Sequence, residues 1–168
     1  KSLLFLCTGS VLHATGERNL GKLGGLIHRM PWVAWLALIG ALASAGLPPL
    51  NGCGSEWLLL QGCLFTAGLP QGYLNMLLPV VAGAVALIAA LAGFAMVKFF
   101  GIVFLGQPRE EKLAQAHDAG RLERLGLIWL AAGCVLLGLL PNVVIALLDP
   151  VTRQLGGEPA DVAAAANA

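Results

Sequence analysis

From Pro31 to Leu69 the chain runs for 39 residues with a single charge, Glu56. A straight helix of that length would be about 58 Å long, against a bilayer hydrocarbon core of about 30 Å. The run is not straight, because Gly46-Leu47-Pro48-Pro49-Leu50-Asn51-Gly52 interrupts it. Pro48 and Pro49 remove two backbone donors and clash with the preceding turn. Gly46, Gly52 and Gly54 permit the backbone angles that a break needs. The sequence therefore specifies either one span broken over 46–54 or a hairpin of two short spans.

The solvent for such a segment is lipid. Of the 168 residues 58% are hydrophobic and 11% charged, with mean hydropathy +0.81. A soluble domain carries about 25% charged residues, and disorder needs low hydrophobicity and high charge. The formal net charge of +1 gives no basis for binding nucleic acid.

The remaining apolar runs cover about 1–14, 76–105 and 125–148, with Pro141 inside the last. The expected fold is an all-α integral membrane bundle of about four transmembrane helices, one of them discontinuous. It occupies 1–148 as one domain, and 149–168 forms a polar tail. The chain opens on Lys1 and enters an apolar run at once, which reads as a fragment of a longer protein.

Charges in the separators orient the spans. Thr15–Met30 carries Arg18, Lys22 and Arg29 against Glu17. Gly106–Arg124 carries Arg109, Lys112, Arg121 and Arg124, with four acids beside them. Pro70–Asn75 has neither Lys nor Arg, and Arg153 stands alone in the tail. Lys and Arg dominate orientation. If 31–69 is one broken span, both basic loops share the cytoplasmic side and the C-terminus lies outside. A hairpin would put one basic loop on the wrong side, so the single broken span is favoured.

Non-helical backbone at membrane depth is tolerated only inside protein or beside water. The break therefore implies a packed, hydrated site, and Glu56 follows it directly. Asn51 or Ser55 is expected to cap the second half-helix, which places Glu56 in its first turn, near the positive end of the dipole. An ionisable group at that depth costs about 2.5–3.5 kcal/mol on insertion scales for Asp, Lys or Arg, and is a functional candidate by default. Lys98 lies seven residues before Leu105; its stem can snorkel to the boundary or serve a charge relay. Lys1 and His13 are the ionisable residues at the two ends of the first run. His28 and His117 fall in loops and read as solvated. Trp32, Trp35, Trp57 and Trp129 sit near span ends or the break, as interface anchors do.

Cys7, Cys53, Cys63 and Cys134 form no CxxC pair. They read as small buried hydrophobes, so neither a metal nor any other cofactor is expected. No nucleophile–base pair or phosphate loop is present to make this chain a catalyst by itself.

Several of these stretches resemble the antiporter-like subunits of respiratory complex I and related hydrogenases. Lys1-Ser-Leu-Leu-Phe-Leu-Cys-Thr-Gly-Ser10 is similar to the family's lysine-bearing helix. Gly24-Gly25-Leu26 with Met30-Pro31 resembles its approach to the broken helix. Leu47-Pro48-Pro49-Leu50-Asn51-Gly52 and Ser55-Glu56-Trp57 resemble the break and the ionisable group after it. Val97-Lys98 through Gly106, followed by Gln-Pro-Arg, looks most like the hydrogenase-4 component B and formate hydrogenlyase branch. The resemblance covers nearly the whole chain and is most specific in its first 60 residues.

The resemblance implies a multi-pass subunit of the cell inner (plasma) membrane. It would contribute to proton translocation coupled to electron transfer, with other membrane and peripheral subunits as partners. The implied proton path uses Glu56, Lys1, Lys98 and His13, and the implied break uses Pro48, Pro49, Asn51 and Gly52. Cys53 departs from the Phe often found there, which bears on packing rather than on proton chemistry. Two other functions fit the same motifs: a subunit of a multisubunit sodium/proton antiporter, or a structural subunit that no longer conducts.

Overall fold

A computed structural model of the chain describes residues 1–64, 72–109, 113, 116–141, 143, 146 and 147. All regular structure among the described residues is helical: α1 (Ser2–Thr15), α2 (Pro31–Ser44), α3 (Asn51–Leu64), α4 (Gly72–Phe100) and α5 (Arg121–Leu139). Short 3₁₀ turns at Leu20–Lys22 and Leu26–His28 occupy the loop between α1 and α2. The expected tail, 149–168, lies outside the described residues, as does 65–71 between α3 and α4.

Sequence chemistry explains where these helices begin and end. α1 stops at Gly16, whose φ of 66° is left-handed and whose N–H donates to Leu12 at 2.8 Å, a standard glycine cap. α2 starts on Pro31, which needs no donor at the first helical position. α4 extends past Phe100 through a π-helical turn, Gly101–Leu105, closed by Gly106 N–H on Gly101 O at 3.0 Å. α5 starts at Arg121, one turn ahead of the apolar run that predicted Leu125, with Glu123 in its first turn.

The stretch Asn75–Leu105, with 31 residues, and α5, with 19, are long and apolar enough to cross a bilayer. α1, α2 and α3 have 14 residues each, about 21 Å. No one of those three spans about 30 Å unaided.

α1 buries Leu3, Cys7, Ser10 and Val11 along one face. α2 buries seven residues, and all but Leu36 are Ala, Gly or Val: Val33, Ala34, Ala37, Gly40, Ala41 and Ala43. Gly40 lets α1 approach closely, since a Cβ there would lie 3.1 Å from Leu4 Cγ. Small residues at helix crossings are the usual means of close packing in lipid. The tightest core lies at the basic-loop end, where Leu26, Met30, Val33, Val103, Phe104 and Leu127 are almost fully buried. Each large apolar side chain removed from water there contributes about 1.5–3 kcal/mol.

Two sequence signatures meet at that end. A Cβ at Gly25 (φ 67°) would lie 2.8 Å from Pro108 Cδ and 2.9 Å from Gly106 O, and Gly24 abuts the Gln107 carbonyl. Arg109 also donates to Gly21 O at 2.5 Å. The Gly-Gly-Leu and Gln-Pro-Arg stretches are thus the two faces of one loop–loop contact.

Candidate functional site

The break runs from Ala45 to Leu50, between Ser44 and Asn51. Gly46, with φ 71°, sits at the left-handed position. Its N–H donates to Ala43 O at 3.4 Å, and that of Leu47 to Leu42 O at 3.2 Å. This pair of bonds is a Schellman motif. It satisfies carbonyls that would otherwise be orphaned at the end of α2. Pro48 and Pro49 follow, joined by a cis bond, and α3 begins at Asn51.

That start corrects two expectations. Ser55 does not cap α3; its hydroxyl donates to Gly52 O at 2.8 Å, inside the helix. Glu56 is then the sixth helical residue, past the first turn, which contains no acid. The dipole acts mainly within the first turn, so it is not what holds this carboxylate. Glu56 instead reaches back to the end of α2, where a Cβ on Gly46 would lie 2.6 Å from its Cδ. Gly46 is required twice, for its φ and for the carboxylate it admits.

The break is enclosed by backbone on two sides. A Cβ at Gly52 would collide with the Ala43 carbonyl, and one at Gly138 of α5 with the Pro49 carbonyl, 2.6 Å from Leu50 C. Gly138 lies about 25 Å along α5 from Arg121, so the break and the basic loops occupy opposite ends of α5.

Lys1 borders the same end of α2 from another side. It lines a cavity of about 300 Å³ with Ser44, Leu4, Thr8, Met96 and Phe99. Thr8 and Phe99 are shared with a second cavity, about 320 Å³, that extends past Val11 to Glu17 and Arg18. Thr8 satisfies its hydroxyl within α1, on Leu4 O at 3.0 Å and Phe5 O at 2.9 Å. Both cavities are mostly apolar.

Of the residues expected to form a proton path, Lys1 and Glu56 approach one place, the C-terminal end of α2. His13 lies twelve residues beyond Lys1 on α1, about 18 Å away. Lys98 is exposed on α4, one residue before Phe99.

His13 has neighbours that the sequence did not link to it. It lines a cavity of about 500 Å³ with Ser10, Met30, His117, Asp118 and Glu123. His117, read above as a solvated loop histidine, is exposed but shares this cavity. A cavity assembled from residues a hundred positions apart leaves no mark in local spacing. The one available signal was the run His117-Asp118 just before a helix carrying Glu123. Asp118 has a structural task. Its Oδ2 accepts from the Trp32 N–H at 3.4 Å, at the start of α2, and pairs with Arg124 at 3.3 Å. Arg124 lies over the Trp32 ring at 5.8 Å. Among the described residues no three His, Cys, Asp or Glu are grouped tightly enough to hold a metal ion.

The comparisons with known proteins bear on this arrangement. Residues 1–85, just over half of the chain, match the NADH:quinone oxidoreductase/Mrp antiporter transmembrane family. The chain belongs to that family. The match takes in α1, the break and Glu56, so the all-α membrane architecture is that of the family.

Formate hydrogenlyase subunit 3 of Escherichia coli (strain K12) is 37% identical over 138 residues, covering 82% of this chain and 23% of that protein. Hydrogenase-4 component B of the same strain is 35% identical over 139 residues, covering 83% and 21%. A Na(+)/H(+) antiporter subunit A1 of Staphylococcus saprophyticus is 32% identical over 162 residues, covering 93% and 20%. Among solved structures, a chain of the membrane-bound sulfane sulfur reductase, an archaeal respiratory membrane complex, superposes with a TM-score of 0.64 at 28% identity. That match covers 81% of this chain and 21% of the other. The chain spans about a fifth of the length of the curated relatives it matches.

Proposed function

We propose that this chain is part of a membrane subunit that moves protons, coupled to electron transfer in a hydrogenase-like or complex-I-like assembly. One observation carries the reading: Lys1 and Glu56, of opposite charge, flank the same broken end of α2, at Ser44 and Gly46. An ionisable pair beside non-helical backbone is a relay whose members can exchange a proton when the helix end shifts. The family membership and the two hydrogenase relatives support the coupling to electron transfer.

In this reading Glu56 and Lys1 are the central groups. His13 serves the basic-loop end, and Lys98 stands toward that same end of α4. The membrane is the cell inner (plasma) membrane, the basic loops face the cytoplasm, and the partners are other membrane and peripheral subunits. Redox chemistry in those partners biases the assembly between two states with different proton affinity at the relay. Moving one charge against 100 mV requires about 2.3 kcal/mol, which sets the minimum difference the two states must supply.

The test is proton uptake by proteoliposomes holding the complete complex, wild type against Glu56→Gln, with electron transfer followed in parallel. Loss of uptake in an assembled complex is expected. Unchanged uptake and unchanged electron transfer would make Glu56 a structural carboxylate and the chain a non-conducting scaffold. The antiporter relative, matching 93% of the chain, favours a second reading, in which sodium is the counter-ion. Sodium-dependent uptake without any electron donor would establish it.

A further inference from the structure

α2 buries one side and leaves the other open. Trp32 and Trp35, three residues apart and so on one side of the helix, are 49% and 62% exposed. Further along, Leu38 and Leu42 continue that side and are half-buried. α5 lies beside it, with Arg121, Arg124 and Ile128 in one stripe at helix spacing. The Arg124 guanidinium, 5.8 Å over the Trp32 ring, marks where the two faces join. Two open indoles thus stand next to two arginines at the basic-loop end of the bundle.

The acids nearby are already engaged. Asp118 accepts from the N–H groups of Ala119, at 2.9 Å, and Trp32, and it pairs with Arg124. Glu123 is turned to the other flank of α5, against Ser10 of α1. The cations keep donors to spare. Arg124 donates from Nε to Ala119 O at 2.7 Å and pairs with Asp118 at 3.3 Å. Those contacts use two of the five N–H donors of a guanidinium, and the Arg124 side chain is still 33% exposed. Arg121 is exposed, and no carboxylate among the described residues pairs with it. Neither indole N–H has a protein acceptor among the described residues.

These groups ask for a ligand with two parts. One is an anion with several acceptor oxygens, which guanidinium groups hold by charge-assisted bonds. The other is an apolar length that lies along Trp35, Leu38 and Leu42. A small inorganic anion supplies only the first part, and an uncharged apolar helix only the second. An anionic phospholipid supplies both, through its phosphate and an acyl chain. Tryptophan and basic residues belong at the depth where lipid headgroups lie. Anionic lipids of the cytoplasmic leaflet are attracted to basic segments beside a membrane span, and in the topology given above this end faces the cytoplasm.

We propose that the α2–α5 face at the basic-loop end is a binding site for an anionic phospholipid. The lipid phosphate accepts from Arg121 and from the unused donors of Arg124. The indole N–H groups meet the polar headgroup region, and one acyl chain runs along Trp35, Leu38 and Leu42. Arg124 also holds Asp118, and Asp118 caps the start of α2. The bound lipid is thereby a third partner in the tie between α2 and α5. The site goes beyond the proton-translocating reading and is independent of which ion is moved, because it needs only the bundle in a bilayer.

The test gives the delipidated complete complex a phosphatidylglycerol with a photoreactive acyl chain. After irradiation the labelled peptides are identified by mass spectrometry, and the yield is followed against lipid concentration. In the wild type, label is expected on Trp35 to Leu42 and around Ile128. Unlabelled phosphatidylglycerol should compete, phosphatidylcholine much less, and glycerol phosphate, which has the anion without acyl chains, not at all. Arg121→Gln should raise the half-saturating concentration about five-fold, as expected for one basic side chain near an anionic membrane surface. Trp35→Leu, which keeps an apolar contact and removes the indole N–H, should raise it by less. Arg18→Gln, which removes a basic residue from the loop after α1, should leave it unchanged.

Absence of label from this face in the wild type would overturn the site and mean that a neighbouring protein segment covers it. Equal competition by phosphatidylcholine would also overturn it, leaving ordinary lipid contact. Competition by glycerol phosphate would make it an anion site with no lipid. An equal shift in Arg18→Gln would assign the attraction to the basic surface as a whole, and the site would fall. If Arg121→Gln does not assemble, Trp35→Leu and the competition series in the wild type still decide the matter.

Discussion

Gly46 carries more of this site than any charged residue. Its left-handed φ closes the Schellman motif, and its missing Cβ makes room for the Glu56 carboxylate. Alanine there must adopt a backbone that costs about 1–2 kcal/mol and must also displace the carboxylate. Gly46→Ala is therefore expected to lower the thermal stability of the detergent-solubilised complex and to impair uptake. Gly54→Ala, at a glycine whose Cβ would meet nothing within 4 Å, should change neither by much. Equal behaviour of the two variants would remove Gly46 from the account.

A second residue-scale expectation concerns Glu17, in the loop after α1. The N–H of Asn19 (3.0 Å) chiefly holds its carboxyl below the ordinary value of 4.5; desolvation opposes this, and Lys22 and the N–H of Arg18 add to the lowering. The depressed value belongs to the folded loop. The ordering it contributes is thus present above the ordinary carboxyl pKa and lost as pH falls through the lowered one. Amide exchange at Arg18 and Asn19 should lose protection in that acidic range. In Glu17→Gln this step should be absent.

At the scale of elements, two contacts set how the helices meet. One is the trans cap of α2 by Asp118, reinforced by Arg124. Removing an N-cap acceptor costs about 0.5–2 kcal/mol. Asp118→Ala is therefore expected to lower stability by about that much, and Asp118→Asn, which keeps an acceptor, by less. The other contact is Gly138 against the backbone of Pro49 to Asn51. Any side chain there pushes α5 off the break. Gly138→Leu should reduce assembled complex in membranes, whereas Gly126→Ala on the same helix, in open space, should assemble normally.

For the whole molecule, burial is uneven, and that has a physical reason. The core is dense at the basic-loop end, while α4 exposes Met76, Leu77, Leu87, Ile88, Leu91 and Phe94 along its length. In lipid or against other subunits such a face costs nothing, so only the ends that meet water need tight closure. With the four native cysteines replaced by Ala, Lys22→Cys and Arg109→Cys should label from the same side of oriented vesicles. Gly72→Cys, at the start of α4, should label from the opposite side. Labelling of all three from one side would exclude the single-broken-span topology.

The sequence by itself determined the solvent and the elements. Apolar run lengths, separator charges and Pro48-Pro49 specified an all-α membrane bundle with an interrupted second run, because each depends on neighbouring residues only. The family was legible for the same reason, in contiguous motifs such as Leu47 to Gly52. Helix starts were less so. Glu56 was placed a turn too early because α3 already begins at Asn51, one of the two residues read as its cap, and glycine-rich sequence gives little purchase on which residue enters the helix first. The tertiary structure alone decided what lies beside what. It set Lys1 and Glu56 on one helix end, paired the Gly-Gly-Leu loop with Gln-Pro-Arg, and made His117 a neighbour of His13. Those contacts join residues far apart in the chain, where packing of small residues and backbone, not local propensity, selects the partner.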